Sequence, residues 1–200
     1  MSNVLKFSIP IEPDNIRINL LLLSKQDVQR VLFSDHYHRA RPMHYPQFLD
    51  IEISTADEGG FPTTISWSLP DGQLKSVLIA PDDDWEPWDN ADPSVDIQHL
   101  LDQGVSGPDV IRELNDDLDG QTIFVDGLDE DERVLELLFE TYQQTLSFEV
   151  ASMTQLFTQQ NIESLLAIRN DIASELQFDL EVVDDNVRSL IFLYQQLNPS

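Results

Sequence analysis

Gln47–Ser54, QFLDIEIS, reads as a β-strand, and the rest of the chain can be organised around it. Residues two apart on a strand point to the same side. Leu49, Ile51 and Ile53 therefore form a core face, and Phe48, Asp50 and Glu52 share the other. Two like charges side by side on a strand repel unless a cation lies between them. Mg2+ or Mn2+, which prefer oxygen ligands, would meet that demand. The solvated polar face of an edge strand would meet it equally well.

Downstream, Thr63–Leu69 and Gln73–Ala80 read as two more strands, and Asp71-Gly72 between them is a strong hairpin signal. The first three strands are thus consecutive, with at least two antiparallel. Pro81 to Pro93, which contains Trp85 and Trp88, has no period and reads as a loop. Helices are expected over 94–102 and 108–119, followed by a buried strand at Thr122–Val125 between Gly120 and Gly127 and a helix from Asp129 to Tyr142. In that helix Asp131 precedes Val134, Leu135 and Leu138 by three, four and seven positions, so it shares their apolar face. An acid on an inward stripe is costly unless paired or metal-bound. Asp129 and Glu130 are accounted for by the helix dipole alone.

A fifth strand is expected at Ser147–Val150, and helices at Asn161–Leu176 and Asp184–Leu197. Upstream, Val4–Ile9 and Ile16–Leu23 read as a hairpin, and Ser24 caps a helix over Gln26–Phe33 before Pro42 and Pro46. The expected architecture is α/β: a mixed sheet of about five strands, the first three antiparallel, flanked by helices. Residues 1–45 form an N-terminal extension and 46–200 the domain.

Composition narrows the chemistry. With no cysteine among 200 residues, disulfides, thiolate metal sites and thiol nucleophiles are excluded. No apolar run approaches the roughly 20 residues of a membrane helix. The start of the chain has no signal-peptide pattern, so no membrane partner and a cytoplasmic location are expected. The formal net charge is −26, and from residue 42 onward 33 acids face five bases. Such a field repels phosphate backbones. It suits solubility, or a partner with a basic face. Arg30, Arg39 and Arg41 of the extension are the nearest thing to a phosphate-binding surface. The histidines are His36, His38, His44 and His99; the HYHR run at 36–39 reads as an exposed basic cluster, with a metal pair or a phosphate contact as the alternative.

The segment FLDIEISTADEGGFPTTISWSLPDGQLKSVLIAPDDDWEPWD resembles the first motif of DEDD-type (DnaQ-like) 3′–5′ exonucleases of the ribonuclease H-like superfamily, with Asp-x-Glu on the first strand. VSGPDVIRELNDDLDGQTIFVDGLDEDERVLELLF is similar to the second motif, whose Asp maps onto Asp131. Together the two cover about residues 46–140. The resemblance implies a ribonuclease H-like domain that hydrolyses phosphodiester bonds at single-stranded DNA or RNA ends. It also implies four acids holding two Mg2+ or Mn2+ ions about 3.5–4 Å apart.

Asp50, Glu52 and Asp131 are three of the implied catalytic and metal-binding acids. The fourth is Asp185, with Asp184 as the alternative, in LEVVDDNVRSLIFLY. Neither histidine nor tyrosine stands where the third motif carries its base. Trp85, Trp88, Arg39 and Arg41 are the candidate nucleic-acid contacts; for the tryptophans, loop-anchoring packing is the competing reading. A catalytically impaired, acidic interaction protein binding a basic partner is the alternative function.

Overall fold

The computed structural model describes residues 44–56, 59–85, 88–126 and 128–198. The hairpin and helix expected in the extension, together with Arg39 and Arg41, lie outside the described residues. The strands are β1 (Gln47–Ile53), β2 (Pro62–Ser68), β3 (Leu74–Leu78), β4 (Thr122–Val125) and β5 (Glu149–Ser152). The helices are α1 (Ile97–Gln103), α2 (Gly107–Leu118), α3 (Leu128–Thr141), α4 (Ile162–Leu176) and α5 (Val183–Leu197). None of the helices among the described residues is long and apolar enough to cross a membrane.

The strand order is β3-β2-β1-β4-β5. β1–β2 and β2–β3 are antiparallel, whereas β1–β4 and β4–β5 are parallel. This is the α/β mixed sheet of five strands, the first three antiparallel, expected from the sequence. Gly72 turns the β2–β3 hairpin at φ 83°, a backbone conformation that favours glycine. β1 is central, so both of its faces are covered. Leu49 and Ile51 pack with Ile65, Trp67, Ile123 and Val125 in the cluster that also holds Val110, Leu114, Val134 and Leu138 of α2 and α3. Phe48, on the opposite face, packs in a second cluster with Leu165 and Ile172 of α4 and Val187 and Leu190 of α5.

Period-2 patterning therefore assigned the faces of β1 correctly, but the polar face is not an open one. α5 covers it, packing against β1 and β2. Because α5 also packs on α4, it is buried at Val183, Asp185, Asn186, Val187, Ser189, Leu190, Ile191 and Leu193. A helix buried on several sides has no single inward stripe, which is why periodicity alone pointed to Asp184. β5 lies two residues later than expected. Its register follows from parallel pairing with β4, Thr122 opposite Glu149 through Val125 opposite Ser152.

The loop after β3 contains two short 3-10 turns, Asp83–Trp85 and Trp88–Asn90. Asp92 N–H donates to Ser54 O at 2.7 Å, so this loop folds back onto the end of β1. Beyond it, Gly104 passes close to the chain after β3: Ala80 N–H donates to Val105 O at 3.0 Å, and Val105 N–H to Leu78 O at 2.8 Å. A Cβ at Gly104 would meet Ala80 Cα at 2.8 Å and press on Leu100 O and Ala80 N, all backbone atoms. Gly104→Ala should destabilise the protein by about 1–3 kcal/mol, the usual cost of overpacking. Urea denaturation checks this, and an unchanged midpoint would show that the two segments separate freely.

Candidate metal centre

The carboxylate chemistry gathers where the middle of β1 runs beside the C-terminal end of β4, and strand ends of this kind commonly present the sites of α/β sheets. β1 and β4 pair with Gln47 opposite Ile123 and Phe48 opposite Phe124. Continuing that register two residues sets Asp50 beside Asp126. Asp131 enters from the first turn of α3, where the helix dipole favours an anion. It is 5% exposed, as its place on the stripe with Val134, Leu135 and Leu138 requires. Asp50, Asp126 and Asp131 each bring one oxygen within 4.8 Å of the others, and could together hold a metal ion. All three donors are hard oxygens, the set that suits Mg2+ or Mn2+.

Asp50 bears the electrostatic consequence. Its carboxyl is pushed up to about 7, first by burial and then by the negative charge of Asp126. A hydrogen bond from Asn186, the charge of Arg169 and the backbone N–H of Ile51 pull the other way without cancelling the rise.

Arg169, on α4, is the counter-charge built into the site. It is 5% exposed. Its Nη1 lies 2.6 Å from Asp126 Oδ2, its Nε donates to Ser189 Oγ at 2.8 Å, and its Nη2 donates to Asn186 Oδ1. Asn186 thus accepts from Arg169 and donates to Asp50. The chain Asp50–Asn186–Arg169–Asp126 runs from β1 through α5 and α4 to the end of β4.

Of the acids expected from the sequence, Asp50 and Asp131 converge. Glu52, Asp184 and Asp185 lie outside the cluster of three. Glu52 shares a face with Asp50 but stands one pleat repeat farther along, about 6.6 Å. There it is paired directly with Thr64, whose hydroxyl donates to Glu52 Oε2 at 2.8 Å. Asp185 is buried, and its Oδ1 pairs with Arg188 Nη1 at 2.8 Å while Oδ2 accepts the Asp179 N–H at 3.2 Å. Asp184 is the more exposed of the two, with Oδ2 3.6 Å from Arg188 Nη2.

The tryptophans expected as base contacts have other partners. Trp85 is 7% exposed and stacks on Phe61 with ring centroids 5.8 Å apart, and its Nε1 donates to Thr141 Oγ1. Trp88 is half-buried against the same core and donates to Asp82 O at 3.1 Å. Both anchor the loop.

Asp126 and Arg169 had signals that pattern reading passed over. Asp126 immediately follows a buried strand feeding a helix. Arg169 stands four residues after Leu165 and three before Ile172, an arginine on an apolar stripe. Compared with known proteins, the chain matches no family model and no curated sequence. Fold and site together define an α/β protein with a five-stranded mixed sheet and a partly neutralised cluster of carboxylates on β1, after β4 and in the first turn of α3.

The raised Asp50 carboxyl makes stability depend on pH. Between its ordinary value of 3.8 and about 7, the folded chain holds a proton that the unfolded chain has released. This contribution to stability is full below 3.8 and is lost as pH rises to about 7, a change on the order of a few kcal/mol. In EDTA, Asp50→Asn should exceed the parent protein in stability by more at pH 8 than at pH 5, measured by urea denaturation at both. Comparing the two proteins removes the general repulsion of a −26 chain. An equal difference at the two pH values would show that Asp50 ionises at its ordinary value.

Proposed function

We propose that the protein is a metal-dependent 3′–5′ exonuclease that hydrolyses phosphodiester bonds at single-stranded DNA or RNA ends. The observation that carries this reading is the convergence of Asp50, in the middle of β1, with Asp126 and Asp131. The resemblance of residues 46–140 to DEDD-type exonucleases supports it, since Asp50 and Asp131 are two of the acids that the resemblance singles out. The same resemblance calls for two Mg2+ or Mn2+ ions. The three converging carboxylates form a ligand set for one of them.

A bound divalent ion would supply Lewis-acid stabilisation of the phosphoryl oxygens and a water acidified toward neutral pH. The chain's own residues supply the rest. Asp50 and Asp131 would hold the ion, and Asp126 would complete the set, its carboxylate oriented by Arg169. Asn186 keeps the Asp50 carboxylate in place from the side of α5. An ion held here would have to displace the proton that burial and Asp126 keep on Asp50, so metal uptake would strengthen as pH rises through neutrality. Arg39 and Arg41, with the other bases of the extension, are the candidate contacts for the phosphate backbone.

A second reading, a catalytically impaired interaction protein that binds a basic partner, is favoured by a specific observation. Of the five bases beyond residue 42, Lys75, Arg112, Arg169 and Arg188 are each paired with carboxylates. Among the described residues little cationic surface is left to receive a phosphate chain.

Labelled single-stranded DNA and RNA, incubated with the full chain in millimolar Mn2+, separate the two readings. Under the first, product shortens from the 3′ end. Asp50→Asn and Asp131→Asn then each lower the rate by more than the roughly 10–100-fold that a supporting residue costs. Under the second, the parent protein turns over no faster than Asp50→Asn. A rate that survives both substitutions would assign the activity to a contaminant.

A further inference from the structure

The exonuclease reading leaves open how many ions the site takes, and the side chains that would hold a second one are already engaged. Glu52 accepts the Thr64 hydroxyl. Asp185 is bound by Arg188 and by the Asp179 N–H. Asp126, which does converge with Asp50 and Asp131, has Oδ2 held by the Arg169 guanidinium. That leaves it one oxygen to offer. Three carboxylates against one guanidinium carry two net negative charges, the charge of a single divalent ion.

We propose that the centre is a one-ion site in which Arg169 stands as a permanent cation where a second metal would otherwise be required, acting as a positioning residue through Asp126 and Asn186. The inference rests on the metal-binding reading above and concerns only the number of ions and what sets it. Arg169 is suited to this role because it is buried and holds three partners, two on α5 and one at the end of β4. A guanidinium keeps its charge at every accessible pH. Asp126 is therefore never released to bridge two ions. The same guanidinium repels an arriving divalent ion, so the site is held to modest affinity.

Counting Mn2+ bound to the full-length protein at pH 8, by electron paramagnetic resonance of the free ion and by calorimetry, tests this without reference to turnover. The expected result is one Mn2+ per chain, unchanged by Glu52→Gln and lost in Asp131→Asn. Arg169→Gln should bind Mn2+ at least about tenfold more tightly, or bind a second ion, while Arg169→Lys, which keeps the charge, stays near the parent affinity. Two ions in the parent protein, one of them lost in Glu52→Gln, would overturn the inference and leave the metal-binding reading standing. No bound Mn2+ would overturn both. If Arg169→Gln does not fold, the parent stoichiometry and the Glu52→Gln arm still decide.

Discussion

Parallel pairing of β1 with β4 places two carboxylates, Asp50 and Asp126, side by side at the centre of the sheet. Several other features of the domain answer that crowding. Charges taken out of water cost several kcal/mol each unless paired and hydrogen-bonded. Arg169 supplies the pairing, but only because α4 lies against α5 and presents its inward stripe toward the strand ends. Ser189 and Asn186 of α5 then hold the guanidinium in place. The packing of the two C-terminal helices and the electrostatics of the strand ends are thus a single arrangement. Asp50, whose proton persists to about pH 7, marks where the compensation is incomplete.

Much of the scaffold was legible because local rules and tertiary packing agree. The alternation of β1, the Asp71-Gly72 turn and the apolar stripe of α3 each have one physical solution, and the structure adopts it. The site was legible in part. Asp131 announced itself as an acid on an apolar stripe, and Asp50 as one of two carboxylates on the same face of a strand. Glu52 was misplaced because a shared face is not a shared location. The pleat aligns it with Asp50, but cross-strand pairing gives it to Thr64.

Asp126 and Arg169 escaped for a different reason. Each carries only a weak local signal, and what joins them is a contact spanning more than forty residues of sequence, which no local pattern encodes. The choice between Asp184 and Asp185 depended likewise on α5 being covered by both the sheet and α4. The degree of burial of a helix is a property of its neighbours. Trp85 and Trp88 made a similar point in reverse: aromatic rings in an acidic loop read as a platform for ligands, and here they anchor the loop to the core.

The guanidinium among the carboxylates also has a consequence for how such a sequence can change over time. Positions 50, 126, 131 and 169 share one charge balance, so they are not free to drift independently. Losing the arginine while keeping all three acids leaves a surplus of negative charge in a place with little water, and losing Asp126 while keeping the arginine leaves a buried cation without its partner. Neutral substitutions at 126 and 169 should therefore travel together among descendants of this chain, whereas the exposed acids that make up most of its charge can come and go one at a time.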